Sequence, residues 1–292
     1  MIYLDNNSTT AVDESVLSKM LPYFSNKFGN ASSITHSYGW AAKNGISEAT
    51  QQICDLLHCD EKEIVYTSGA TEAINFAIRG VFEIYKRKGN HIITCKTEHK
   101  AVLDTCKALE KEGARVTYLD VDTNGMVNIQ QLKKALSSQT ILVAIMYVNN
   151  ETGVLQPIEQ IASLTHAHQS IFMSDATQAV GKIPININID KIDLMPFSAH
   201  KFYGPKGAGA IYVRRKKPRV ILSPLIYGGG HQRGLRSGTL NVPGIVGLGA
   251  AAALAQKEMT SNAAHIKELK QALERGFKSL PNVYVNGDNS AR

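Results

Sequence analysis

Three stretches of this sequence place chemically useful residues just after apolar runs. The first, Ser68-Gly69-Ala70-Thr71-Glu72, follows a β-rich run and opens a helical pattern. Free backbone N–H groups and the positive end of a helix dipole converge at such a point, and Gly69 and Ala70 leave an anion room to approach the backbone. A plain N-cap by Ser68 or Thr71 uses the same residues. The second, Ser174-Asp175-Ala176-Thr177-Gln178, ends a strand where open α/β sheets place their ligands. An acid there needs a cationic or hydrogen-bonding partner, although Asp175 serves equally well as a cap for the next turn. The third, Ser198 to Gly207, surrounds Lys201 with Gly204, Pro205 and Gly207. A lysine held at that edge is either a salt-bridge donor or an amine poised to form a Schiff base.

The elements that must position these groups alternate from about residue 60 to 215. Strands are expected at Glu63–Thr67, His91–Cys95, Arg115–Leu119, Ile141–Tyr147, Ile171–Asp175, Ile192–Phe197 and Ala208–Val213. Between them Thr71–Arg87, Lys100–Glu112, Ile129–Leu136 and Ile158–His168 repeat apolar residues at three- and four-residue spacing. This is the pattern of a mostly parallel central sheet with helices on both faces. Asp13–Phe24 and Gly39–Leu57 read as helices before it, and Val242–Leu280 as a long Ala-rich helix after it. Val283-Tyr284-Val285 resembles a strand start, followed by the turn chemistry of Asn286-Gly287-Asp288. The sequence divides into an N-terminal segment (1–12), a large domain (13–240) and the start of a small C-terminal α+β domain, expected to be incomplete (241–292).

With 292 residues, 43% hydrophobic and 20% charged, the chain is globular rather than disordered, fibrous or coiled-coil. No signal-peptide pattern or membrane-length apolar run is present, so neither secretion nor a membrane partner is expected. Four cysteines without C-x-x-C spacing suit a reducing cytoplasm. The net charge of +7 favours anionic ligands, and its densest run, Arg214 to Arg219, reads as a solvated turn rather than a nucleic-acid site, since no aromatic residues are interleaved. No histidine has a carboxylate or cysteine at metal-ligand spacing, so no metal is expected.

A phosphate cradle, an acid for a pyridinium nitrogen and a Schiff-base lysine are together the parts that pyridoxal phosphate (PLP) requires. The sequence also resembles the cysteine desulfurases, of the class V aminotransferase group with the PLP-dependent transferase fold type I. The resemblance rests on Tyr3 to Thr10, Phe28-Gly29-Asn30, Thr67 to Glu72, Thr97-Glu98-His99-Lys100, Asn149 to Gly153, Asp175 to Gln178, His200-Lys201 with Tyr203 to Gly207, and Arg236-Ser237-Gly238-Thr239.

That resemblance implies that Lys201 holds PLP and moves the substrate's Cα proton, while Asp175 keeps the ring nitrogen protonated. It implies that Gln178 bonds the ring's phenolic oxygen, that His99 stacks on the ring face with an acid–base capacity, and that Asn150 lies near the substrate carboxylate. Ala70, Thr71, Ser198 and His200 are implied to bind the phosphate. Thr239 is implied to reach the cofactor of a neighbouring subunit, hence a homodimer. The implied reaction converts L-cysteine to L-alanine, with persulfide sulfur delivered to iron–sulfur scaffold or tRNA-thiolation acceptor proteins. A selenocysteine lyase or another class V aminotransferase is the enzymatic alternative, and a non-catalytic dimeric scaffold the other. The family's nucleophilic cysteine and carboxylate-binding arginine, both in its C-terminal part, have no counterpart here, so the chain as given is expected to bind PLP without turnover. Cys54 and Cys106 read as core, Cys59 as a loop residue, and Cys95 as the cysteine nearest the cofactor.

Overall fold

Short runs dominated by β-branched and apolar residues build the seven strands of one sheet in the computed structural model, which describes residues 2–287. They are β1 (Ile64–Thr67), β2 (His91–Cys95), β3 (Arg115–Leu119), β4 (Thr140–Ala144), β5 (Ile171–Met173), β6 (Leu194–Ser198) and β7 (Gly209–Val213). Their order is β1-β7-β6-β5-β4-β2-β3, and only β7 runs against the others. Every strand except the edge strand β3 is buried at all positions, which requires helices on both faces.

The helices are α1 (Glu14–Met20), α2 (Ser37–Leu57), α3 (Ala70–Tyr85), α4 (Lys100–Glu110), α5 (Ile129–Ala135), α6 (Ile158–Ala167) and α7 (Val242–Lys278). Alternation along the strands divides the core. Val65 and Ile92 face α3 and α4 through Phe76, Ile78 and Val102, whereas Tyr66 and Ile93 belong to the opposite layer with Ile53 of α2, Ile161 of α6 and Leu248 of α7. The free edge of β1 is covered by a loop whose Gln232 amide accepts from Tyr66 N at 2.6 Å and donates to Tyr66 O at 2.9 Å. A side chain thus stands in for a neighbouring strand and blocks edge-to-edge association.

The elements follow the sequence reading, although the strands expected at Ile141–Tyr147 and Ile171–Asp175 end earlier, at Ala144 and Met173, and two expectations differ in substance. Val283–Val285 forms no strand, because no neighbouring segment offers a ladder; of the turn expected after it, Asp288 lies outside the described residues. The described part of 241–292 is thus the helix Val242–Lys278 followed by an irregular stretch to 287, without the strand expected there. The basic run is not wholly solvated either. Arg214 turns inward, its Nε 3.0 Å from the fully buried Asp193 carboxylate, which also faces His166 Nε2 at 2.7 Å. Burying that acid demands such partners. No described helix is long and apolar enough to cross a membrane.

The first turns of α7 are buried, from Val242 to Ala252, against α1 and α2. Further along, Ile266, Leu269, Leu273 and Phe277 recur every three or four residues on one face and remain at least 50% exposed. An apolar stripe of this kind drives association. Residues 1–292 should therefore self-associate and brighten a hydrophobic dye, and Leu273→Lys with Phe277→Lys should reduce both, as read by sedimentation velocity and dye fluorescence. A monodisperse wild-type chain that leaves the dye dark would show that the stripe is covered.

Candidate functional site

The carboxyl ends of β1, β2, β4, β5 and β6 open into one cavity of about 950 Å³. Such a volume, at that edge of an open sheet, suits a cofactor together with a small substrate. At the end of β1, Gly69 caps α3 with φ +154°, a conformation that side-chain-bearing residues avoid, and offers no side chain of its own to the first turn. The leading N–H groups of α3 therefore have no intrahelical partner, and Ala70 and Thr71 line the cavity. Ser198 and His200 stand across from them. Glu72, also at this end, is neutralised in place: burial pushes its carboxyl up, but bonds from Arg236 (2.8 and 3.2 Å) and Ser68 N (2.9 Å) outweigh that and hold it below the usual range. The cradle keeps its attraction for an anion.

Asp175, just beyond β5, is 5% exposed. Burial raises its pKa, opposed by hydrogen bonds from Thr177 N (3.0 Å) and Oγ1 (2.5 Å) and, electrostatically, by nearby His99 and Lys201. Both bonds fall on Oδ1, and Oδ2 accepts none among the described residues. A buried carboxylate with a free oxygen at a cavity wall fits a protonated nitrogen heterocycle. Lys201 faces the same space. Its Nζ donates to the carbonyls of Asn7 (2.5 Å) and Ser8 (2.8 Å), and burial lowers its pKa against the opposing pull of Asp175 and Asp5. An amine shifted toward its neutral form is a better nucleophile for a carbonyl carbon.

His99 both caps and lines. Its Nδ1 accepts from Ala101 N at 3.1 Å as the N-cap of α4, which places the ring proton on Nε2. Between the two adjacent asparagines, Asn149 makes the turn: its Oδ1 accepts from Glu151 N, Thr152 N and Thr152 Oγ1. Asn150 is left to line the cavity, as does Gln178. The cavity thus collects Lys201, His99, Ala70, Thr71, Asn150, Asp175, Gln178, Ser198 and His200. Thr239 is not among its walls. It borders a smaller pocket of about 170 Å³ that shares Ser68 and Gly207 with the large one.

The N-terminal segment supplies walls to which sequence reasoning assigned no role. Asp5, Asn7, Ser8 and Thr9 line the cavity, and Thr10 bonds His200 O and Tyr203 N. The signal was the block Asp5 to Thr10, whose polar run has no helical or strand period. No cysteine reaches the cavity. Cys54, Cys95 and Cys106 are buried, and burial raises the thiol pKa of Cys95 and pushes that of Cys106 up to about 12, so neither is a ready nucleophile. Among the described residues no group of three or more His, Cys, Asp or Glu is placed to hold a metal.

Beneath the cavity, Glu98 is buried with one oxygen accepting from Met146 N at 2.7 Å and the other unpartnered. Burial raises its pKa far above the usual range, and the nearby Asp175 charge adds to this. An acid with a raised folded-state pKa costs stability once pH climbs past the unfolded value of about 4.3. Glu98→Gln should therefore unfold at a higher temperature than wild type at neutral pH, the gap closing as pH falls to about 4. Thermal melts across that range check it, and a gap that widens on acidification would contradict it.

Comparison with known proteins agrees with this geometry. The family model for aminotransferase class-V matches residues 2–292. The chain is 53% identical over 292 residues to the cysteine desulfurase IscS of Glaesserella parasuis serovar 5 (strain SH0165), covering 99% of this chain and 72% of that protein. A solved NifS-like protein superposes with a TM-score of 0.92 at 41% identity, over 96% of this chain and 76% of the other. The structure titled SspA in complex with cysteine matches with a TM-score of 0.83 at 42% identity, over 86% and 72%.

Proposed function

Because the chain belongs to the cysteine desulfurases of the class-V aminotransferase family, which are PLP-dependent enzymes, we propose that it supplies the cofactor site for converting L-cysteine to L-alanine, the sulfur leaving as the persulfide of a cysteine nucleophile that residues 1–292 do not bring to the cavity. The observation that carries this reading is the meeting of Lys201, Asp175 and His99 in one cavity opposite an uncapped helix N-terminus. PLP supplies an aldehyde that attaches amines covalently and a ring that draws electrons from the amino acid's α-carbon.

In this reading the backbone of Ala70 and Thr71, with Ser198 and His200, holds the phosphate. Asp175 Oδ2 accepts from the ring nitrogen and keeps it protonated. His99 would stack on the ring face, Gln178 would bond the phenolic oxygen, and Asn150 would stand near the substrate carboxylate. Lys201 Nζ, held by the Asn7 and Ser8 carbonyls, would be the amine that carries the cofactor and would hold the Cα proton. Thr239, outside its own cavity, serves a second subunit. The exposed apolar side chains Phe24, Phe28, Trp40 and Tyr227 support a homodimer. Iron–sulfur scaffold or tRNA-thiolation proteins are the proposed sulfur acceptors, and four unpaired thiols suit a cytoplasmic setting.

Purified protein incubated with PLP should turn yellow, and borohydride should fix the cofactor to the peptide containing Lys201. Lys201→Ala should abolish the covalent adduct in peptide mass analysis, and an adduct that survives would refute the assignment. Residues 1–292 alone hold no cysteine at the cavity, so this polypeptide should bind PLP yet release no alanine from cysteine. Measured turnover would show that one of the four thiols present serves as nucleophile.

A further inference from the structure

We propose that Lys182 is a positioning residue that fixes which end of the Gln178 amide is presented to the cavity, and so makes Gln178 a hydrogen-bond donor toward the cofactor's phenolic oxygen. The proposal rests on the PLP reading above. An amide side chain has two ends of nearly equal shape and opposite polarity, and only its neighbours decide their placement. Here both neighbours are unambiguous. Lys182 Nζ, which can only donate, lies 2.6 Å from one end of the amide, so that end is the carbonyl Oε1. The Asn7 backbone oxygen, which can only accept, lies 2.9 Å from the other, so that end is Nε2. One Nε2 hydrogen is spent on Asn7, and the second is left for the cavity that Gln178 lines.

The local chain is built for this contact. Bonds from Val180 N to Ala176 O and from Ile183 N to Ala179 O coil the segment, so Gln178 and Lys182, four residues apart, share a face. Gly181 holds φ +77°, and a Cβ there would lie 2.7 Å from Phe202, so only glycine lets Lys182 follow at this angle. Lys182 is not itself a wall of the cavity. It is nevertheless held where burial, and after it the charge of Lys201, bring its pKa down to about 8. A lysine kept in such surroundings is poorly explained by surface stability alone. Its ammonium also polarises the amide and strengthens the N–H on the far side.

A double-mutant cycle on the 292-residue protein tests this, with PLP affinity read by absorbance titration and the pH midpoint of the bound cofactor's visible band as a second readout. Lys182→Met should weaken PLP binding about tenfold and move that midpoint by about one pH unit. On Q178A, adding K182M should cost nothing more, and Lys182→Arg, which also only donates, should restore most of the loss. An unaltered K182M, or an effect that adds in full to that of Q178A, would overturn the proposal. Where circular dichroism shows that K182M does not fold, K182Q takes its place in the cycle, since a glutamine both donates and accepts and cannot dictate the amide's direction. If wild-type protein takes up no PLP, the cofactor reading fails, and the Gln178 side-chain amide resonance in the cofactor-free protein decides the Lys182 contact. It should shift in K182M, and an unmoved signal would refute the contact.

Discussion

A carboxylate withdrawn from water at the end of a buried strand is the constraint around which this molecule is arranged. Asp175 sits where six of seven strands are buried throughout, and an uncompensated ion there costs several kcal/mol. Thr177 satisfies one oxygen, and nearby His99 and Lys201 oppose the rest of the penalty electrostatically. The oxygen left over gives the cavity a demand for a cation, which the protonated ring nitrogen of the proposed cofactor would meet. Burial, and after it the charge of Asp175, raises the pKa of the neighbouring Glu98, which disfavours a second negative charge beside Asp175.

The sheet explains why the remaining groups arrive together. With only β7 reversed, the carboxyl ends of β1, β2, β4, β5 and β6 share one edge, and the turns after them bring the helix cradle, the imidazole, the acid and the lysine to a common space. The N-terminal segment then closes one side. Its carbonyls at Asn7 and Ser8 hold the Lys201 amine in a defined place while burial weakens its hold on a proton. The lysine is positioned by a segment almost two hundred residues away in sequence, while the lowering of its pKa comes from burial.

That distance marks the limit of what could be read in advance. Strand β2 was legible to the residue, because His91-Ile92-Ile93-Thr94-Cys95 is bounded by Gly89-Asn90 and by Lys96. The strand expected at Ile141–Tyr147 ends at Ala144 instead, although Ile145 and Tyr147 keep single backbone bonds to Met173 and Asp175. The apolar run persists there after the ladder has opened to make room for the site. Nine of the expected site residues line one cavity because they lie at or within a few residues of the carboxyl ends of parallel strands. Asn149 and Asn150 are adjacent and alike, and only the turn geometry separates their roles. Arg214 was read with its basic neighbours, whereas its partner Asp193 lies on another strand's approach. Thr239 sits beyond the cavity wall, and the bond between Lys182 and Gln178 becomes visible only once the coiled segment after Asp175 is built.

The most direct measurement is the nitrogen-15 resonance of PLP labelled at its ring nitrogen, bound to the protein in mildly alkaline solution where a free pyridine nitrogen loses its proton. The wild-type chain should show a protonated ring nitrogen whose signal moves to the unprotonated position in Asp175→Ala. An unprotonated signal in wild type, or the same signal in both proteins, would contradict the account.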